Sequence, residues 1–392
     1  MKRGVISFIF ILIIVILFVV MKPFRTDPPI RIGATMSETG AYSAQGLAAR
    51  NGYLLFQNHI NEQGGILGRK VRFIIYDDKS DTDTAAALYE RLITEDGVDL
   101  VMGPYGSTLT EAVTPVTERH RKVMISPLAA SGFIWDKGHR YLFMQLTPAE
   151  LFLGGLIEMA YGYGLRKVAI IYEDAQFPAE EGAGAAELVK EKGMDLVVRE
   201  TYPPGTDDFS ALLEKIRETG AEVLAMSALS TDNYIAVVRQ MKDMDINVKV
   251  FGAAASSDQF QEELGDAAEY TYGLLLWDKG LPHPGIDQFS EAYRKEYNTE
   301  PTLHAAGAYG GCQILAEATE LAGALDSELI REELLSLETQ TIFSKFSVDK
   351  RGYQTANRGY LIQWQDGEMV VVWPEEFATA KPRFPTPSWH ER

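Results

Sequence analysis

The stretch Ile60-Asn61-Glu62-Gln63-Gly64-Gly65-Ile66-Leu67-Gly68-Arg69-Lys70-Val71 decides the fold, together with the residues on either side of it. On its N-terminal side, the segment Gly46 to Gln63 carries Leu47, Tyr53, Leu54, Phe56 and Ile60 at helical spacing, one apolar stripe along a helix. Gly64, Gly65 and Gly68 then make a turn. On its C-terminal side, Val71-Arg72-Phe73-Ile74-Ile75-Tyr76 is β-branched or aromatic at every position but Arg72, which predicts a strand. Upstream, Ile30-Arg31-Ile32-Gly33-Ala34 reads as an earlier strand, so the chain opens as strand, helix, strand.

The alternation continues. A helix runs through Leu92, Leu100-Val101-Met102 is a strand stopped by Gly103-Pro104, a helix covers about Leu109 to Glu118, and Val123-Met124-Ile125 is a strand ending at Ser126-Pro127. The pattern then restarts with a strand at Lys167 to Tyr172, a helix from about Glu180 to Lys192 and a strand at Leu196 to Val198. A helix at Phe209 to Thr219, a strand at Val223 to Met226, a helix at Tyr234 to Lys242 and a strand at Val248 to Gly252 complete it. Strands alternating with helices of this length predict parallel sheets covered on both faces, and two such runs predict two similar doubly wound lobes. In such sheets ligands gather at the carboxyl ends of strands, so the expected site is the cleft between the lobes. Helices at Phe289 to Glu296, Ala308 to Ala322 and Ser327 to Leu337 follow, then two antiparallel strands, Gly359 to Trp364 and Met369 to Trp373, joined by the hairpin signal Asp366-Gly367. The proline-rich tail after Trp373 is expected to be loosely ordered.

Composition narrows the function. A chain of 392 residues exceeds the usual size of one domain, and an apolar fraction of 46% supports a large core. A formal charge of −18 argues against nucleic acid, whose phosphates require a basic surface. Cys312 stands alone, which leaves no intrachain disulfide, and it reads as a buried structural thiol. His59, His120, His139, His283, His304 and His390 show no metal-ligand spacing. With no nucleophile elbow, P-loop, dinucleotide fingerprint or zinc signature, no metal, cofactor or enzymatic activity is expected. Gly182-Ala183-Gly184 reads as a helix-start glycine pair rather than a phosphate cradle.

At the N-terminus, Lys2 and Arg3 precede an unbroken apolar run from Gly4 to Met21. At 1.5 Å per residue the run spans roughly 27 Å, close to the hydrocarbon thickness of a bilayer. It ends Phe18-Val19-Val20-Met21-Lys22-Pro23, without the small-residue exit of a cleaved secretory peptide and without a cysteine for lipid attachment. The expectation is an uncleaved transmembrane signal-anchor over residues 1–25, with the body of the chain on the extracytoplasmic side.

In their order and spacing, these blocks resemble the branched-chain amino acid binding proteins of ABC transporters, the type I periplasmic-binding-protein fold. The likeness runs from about Ile30 to Trp373. It rests on Gly40-Ala41-Tyr42-Ser43-Ala44-Gln45-Gly46, the Ile60 to Val71 block, Tyr76-Asp77-Asp78, Gly103-Pro104-Tyr105-Gly106-Ser107, and Ile125-Ser126-Pro127-Leu128-Ala129-Ala130-Ser131. The resemblance implies a clamshell with crossovers near Leu146-Thr147, Trp277-Asp278 and Ser344 to Ser347. One lobe would comprise 30–146 plus 278–343, the other 147–277 plus 344–377, with 378–392 as a tail.

The resemblance also implies a ligand carboxylate held in the first lobe by the Ser107 hydroxyl and by backbone donors of Leu128, Ala129 and Ala130, beside Ser131. Tyr42 and Tyr105 would line the cleft. Read from chemistry alone, Ser107 is equally suited to cap the helix that follows it, and Asp77 and Asp78 suit turn formation and capping. Where the family has a threonine and a glutamate for a ligand ammonium, this chain has Ala130 and Ala254; Phe177 and Ser230 stand where aromatic residues are expected. Burying an ammonium without an anion is costly. The expected ligand is therefore not a standard branched-chain amino acid: an amino-acid-like molecule, an amide, a small carboxylate or an aromatic acid suits Ser107, Tyr42 and Phe177 better, with Asp232 or Asp258 as replacement anions only if the alignment slips. An ABC permease is the expected partner. The alternative is a membrane-tethered sensor or interaction protein working with a separate signalling protein.

Overall fold

The computed structural model describes residues 27–253 and 256–392. The apolar run Gly4 to Met21 and Ala254 lie outside these residues. Among the described residues no helix is long and apolar enough to cross a membrane.

The first half of the chain comprises β1 (Ile30–Met36), α1 (Ser43–Glu62), β2 (Val71–Asp77), α2 (Thr82–Thr94), β3 (Leu100–Met102), α3 (Ser107–Arg119), β4 (Met124–Ser126), the single turn α4 (Phe133–Asp136) and β5 (Leu142–Met144). Its strands form a parallel sheet in the order β2-β1-β3-β4-β5. The second half holds a one-turn helix (Ala149–Leu151), α5 (Gly154–Gly162), β6 (Lys167–Glu173), α6 (Gln176–Glu191), β7 (Asp195–Tyr202), α7 (Ser210–Thr219), β8 (Val223–Ser227), α8 (Thr231–Asp243), β9 (Val250–Ala253), α9 (Asp258–Leu264) and β10 (Tyr272–Leu275). Then follow α10 (Ile286–Tyr297), α11 (Leu303–Ala322), α12 (Ser327–Ser336), β11 (Thr339–Gln340), β12 (Lys345–Phe346), β13 (Tyr360–Gln365) and β14 (Glu368–Trp373). The larger sheet has the order β14-β13-β10-β9-β8-β6-β7.

Within that sheet, β7-β6-β8-β9-β10 are parallel and repeat the order of the first sheet; β13 and β14 extend the edge as an antiparallel hairpin. The chain thus forms two similar lobes. Burial on both faces explains the near-continuous apolar strands: along β3, Leu100 and Met102 join one core cluster while Val101 joins another. The helices after β10 belong with the first sheet, because α11 packs along α1 and α12 packs on α11.

Two expectations are corrected. Gly182 and Gly184 lie in the middle of α6, not at its start, and serve close packing. A Cβ on Gly182 would stand 2.5 Å from the Tyr172 ring, and one on Gly184 would stand 2.0 Å from the Glu150 carbonyl oxygen. The tail is not loose either. Thr386 donates its N–H to the Lys249 carbonyl (3.0 Å), and Trp389 Nε1 donates to the Ile246 carbonyl (2.7 Å). Phe384 stacks on Tyr163 with ring centroids 4.6 Å apart, and Gln363 exchanges two hydrogen bonds with the Arg383 backbone. The prolines stop regular structure, but Phe384 and Trp389 supply apolar surface that ties the segment to the second lobe.

Trp389→Ala should therefore destabilise the protein by about 2 kcal/mol. The midpoint of thermal or urea unfolding measures this, and an unchanged midpoint would mean the tail contributes nothing to the second lobe.

Candidate functional site

The strand ends of the two parallel sheets place loops from both lobes around one cleft. On the first lobe, Gly106 takes φ +81° immediately before α3, so a glycine rather than Ser107 occupies the cap position, without a side-chain cap bond. Ser107 is instead the first residue of the helix, and its Oγ accepts the backbone N–H groups of Ala130 and Ser131, each at 3.2 Å. With its lone pairs taken by these donors, the hydroxyl proton remains to be donated. An incoming carboxylate would meet that O–H, and two N–H groups held only by long bonds.

Ser107 lies in a cavity of about 400 Å³ that brings Tyr42, Tyr105 and Ser131 of the first lobe opposite Gln176, Phe177 and Leu229 of the second. Tyr42 meets Tyr105 edge-to-face at 5.6 Å, and Tyr105 meets His304, the second residue of α11, at 5.3 Å. Burial, then the neighbouring Tyr42, raises the Tyr105 phenol pKa. Burial pulls the His304 imidazole down to about 4, so a neutral ring backs the aromatic wall at neutral pH.

Leu128, Ala129 and Ala130 have buried side chains, so what this loop offers a ligand is backbone. Ser230 is not among the residues lining this cavity: it caps α8, its Oγ accepting the Asp232 N–H at 3.2 Å, while its neighbour Leu229 reaches the cavity. Asp77 and Asp78 are turn residues. Asp78 accepts hydroxyls from Thr35 (2.8 Å) and Ser37 (2.6 Å) and the Ser80 N–H, and Asp77 accepts N–H groups from Glu38, Thr39 and Lys79.

A second compartment of about 490 Å³ adjoins the first and shares Phe177 with it. Phe152, Phe177, Trp277 and Leu303 give it apolar walls. Phe152 and Phe177 meet edge-to-face at 5.5 Å, and the Trp277 indole donates to the Ile342 carbonyl at 3.0 Å. Glu181 also lines this compartment, with 3% of its surface exposed. Ser227 Oγ donates to its Oε2 at 2.6 Å. Burial drives the Glu181 carboxyl up to about 8; the Ser227 bond opposes this and the charge of Glu180 adds to it.

Reading the sequence missed Glu181, Gln176, Leu229 and His304. A signal for Glu181 existed, since it falls four residues after Phe177 and four before Ala185, in line with Val189, on the buried stripe of α6.

Residues 29–368 match the family model described as periplasmic binding protein. The Leu/Ile/Val-binding protein homolog 8 of Brucella abortus is 26% identical over 380 residues, covering 91% of this chain and 93% of that one. The homolog 7 of Brucella suis is 24% identical over 379 residues, with 91% and 94% covered. Among solved structures, the branched-chain amino acid transporter substrate binding protein LivJ from Streptococcus pneumoniae, in complex with isoleucine, superposes with a TM-score of 0.68 at 26% identity, covering 88% of this chain and all of that one. An ABC transporter substrate-binding protein from Desulfitobacterium hafniense, in complex with Leu, gives a TM-score of 0.74 at 22% identity, covering 88% and 99%.

Glu181 has a signature in the stability of the protein. The unfolded chain ionises this carboxyl near 4.5, the folded chain only near about 8. Between those values the folded state holds the extra proton, so the contribution of Glu181 to stability is full at acid pH and is lost as pH rises through the window. His304 runs the other way, its contribution being lost as pH falls from 6.5 towards about 4. Glu181→Gln should therefore raise stability above pH 7 by up to a few kcal/mol, on the order of the shift itself, and by little at pH 5. Denaturant melts across this range check it; a variant that tracks the wild type in parallel would refute the perturbed carboxyl.

Proposed function

Because this chain belongs to the periplasmic binding protein family, a class of non-enzymatic ligand binders with an extracytoplasmic body, we propose that it is the solute-binding component of an ABC-type uptake system for an amino-acid-like amide or related small carboxylate. The observation that carries the reading is Ser107, whose hydroxyl stands in a cavity between the lobes against the N–H groups of Ala130 and Ser131. Such a set suits an anion without a buried cation. Relatives are named for leucine, isoleucine and valine, and two solved neighbours hold isoleucine or leucine. In this chain Ala130 and Ala254 stand where the family's ammonium-binding side chains are expected, which supports a different ligand.

The chain divides, in this reading, into one lobe of 30–146 plus 278–343 and another of 147–277 plus 344–377. Ligand bridges them and shifts an open–closed equilibrium, and the closed form is what a membrane permease recognises. Tyr42, Tyr105, Ser107, the Leu128 to Ser131 loop and Phe177 contact the ligand. The apolar run Gly4 to Met21 tethers the body to the membrane, keeping delivery within reach of the permease.

Titration calorimetry with small aliphatic carboxylates tests the site. Ser107→Ala should weaken binding by about tenfold or more, the loss of one charge-assisted hydrogen bond. Unchanged affinity in that variant would sink the assignment. For the tether, the full-length protein expressed in a bacterium should sediment with membranes, resist extraction by high salt and keep its N-terminal residues. Recovery of a soluble chain starting near residue 26 would show cleavage instead.

A further inference from the structure

The second compartment of the cleft is lined by Glu181, Asp258 and Asp278 and, among the described residues, by no lysine, arginine or histidine. The two aspartates are exposed, so water compensates their charge; Asp278 also accepts the Gly280 N–H at 2.7 Å. Glu181 is different. It is buried, its one hydrogen bond comes from Ser227 to Oε2, and Oε1 accepts none from the described residues. An ionised carboxylate offers about four acceptor positions, and buried polar groups are normally satisfied. A carboxyl with one protein donor, on the wall of a cavity, keeps acceptor positions open to a ligand.

We propose that Glu181 is a ligand contact on the second lobe, the counter-ion of an amine that the solute carries beyond Phe177 from its carboxylate. This rests on the interlobe cleft being the ligand site. Phe177 and Glu181 are four residues apart on α6 and so share a face, with Cβ atoms roughly 6 Å apart. Phe177 borders both compartments, whereas Ser107 lines the first and Glu181 the second. A solute that reaches both anchors is therefore an extended amino-carboxylate, its spacer lying over the Phe177 ring with Phe152 and Trp277 around its distal half. That differs from an α-amino acid, whose amine and carboxylate share one carbon.

Among the described residues lining this compartment, no cation competes for Glu181. On its own helix the neighbour is Glu180, whose Oε2 is itself buried without a partner. Elements packed against α6 bring Tyr172 and Glu173 from β6, Tyr202 from β7, Glu150 from the one-turn helix and Glu158 from α5. Lys192, just past the end of α6, pairs with Glu158, and Arg199 of β7 is exposed over the Tyr172 ring at 5.9 Å. Burial keeps the carboxyl protonated at neutral pH until a cation arrives. Binding an amine then ionises it, and the proton leaves for solvent.

The test is titration calorimetry on the full chain with 6-aminohexanoate and hexanoate, in phosphate and in Tris, which differ in ionisation enthalpy. At about neutral pH, 6-aminohexanoate should bind at least about tenfold tighter than hexanoate, with a buffer-dependent heat that reports proton release. Glu181→Gln keeps the shape and the Ser227 hydrogen bond; it should remove both the amine's advantage and the proton release, and Glu181→Asp should restore part of each. Equal affinities for the two probes in the wild type, with hexanoate binding lost in Ser107→Ala, would overturn the Glu181 assignment alone. An amine advantage that persists in Glu181→Gln would overturn it too. If neither probe binds, or Ser107→Ala affects neither, the cleft reading falls and this inference falls with it.

Discussion

The first lobe depends on a contact with no side chain in it. After crossing to the second lobe, the chain returns as α11 and lies against α1, where a Cβ on Gly52 would stand 2.2 Å from the Ala305 carbonyl oxygen. Only glycine lets the two helices come that close. The approach also sets the cleft, because the same end of α11 brings Thr302 and Leu303 to the second compartment and His304 behind Tyr105. A helix displaced outward by one methyl group would move a wall of the site. Gly307, Gly310 and Gly311 continue the theme on the other side of α11, against Leu128, Phe343 and Met102.

Two buried carboxyls show how structural and available acids differ. Asp78 is fully buried and accepts two hydroxyls and an N–H, from Thr35 near the end of β1 and from Ser37 and Ser80 in the loops after β1 and β2. Its acceptor capacity is largely spent on holding a turn. Glu181 is as deeply placed and has one partner. Desolvation is paid in both cases, but only Asp78 recovers it within the fold. The acceptor capacity that Glu181 keeps faces a cavity instead of the fold.

Most of the architecture was legible because it is written in period and punctuation. The apolar stripe before Gly64, the glycine turn and the run from Val71 to Tyr76 announce a strand-helix-strand unit without help from distant residues. Elements held by tertiary context were not legible. β5 and β10 are short, and α5, Gly154–Gly162, begins with two glycines that argue against a helix locally; packing overrides them, with Gly155 tight against the Trp373 ring. The docking of the tail was hidden because prolines dominate its composition while Phe384 and Trp389 do the binding. At the site, Ser107, Tyr42, Tyr105, Ser131 and Phe177 were found from motif and resemblance, and the structure gathers them around one cavity. Asp232 and Asp258 lie near the expected anion position in sequence, and of the two only Asp258 lines the second compartment. Glu181 comes from a different helix; its place on the buried stripe of α6 is legible locally, but that this stripe reaches the cleft depends on the packing of α6 on β6 and β8.

Apolar surface stands exposed around the cleft. Tyr42, Leu229 and Met369 are large apolar residues that stand exposed, and all three line one of the two compartments. Covering them contributes roughly 25 cal/mol per Å² buried, whether a ligand or the opposite lobe does it. Tyr42 belongs to the first lobe, and Leu229 and Met369 to loops and strands of the second, so neither lobe can bury the set alone. The polar groups act in the opposite sense: Ser107 and Glu181, beyond the donors the fold already gives them, would lose water on closure and regain partners from a solute. Closure without ligand gathers the apolar gain but strands a carboxyl. Closure on a solute of the right polarity would gather both, and in the proposed reading that difference would bias an equilibrium between open and closed lobes.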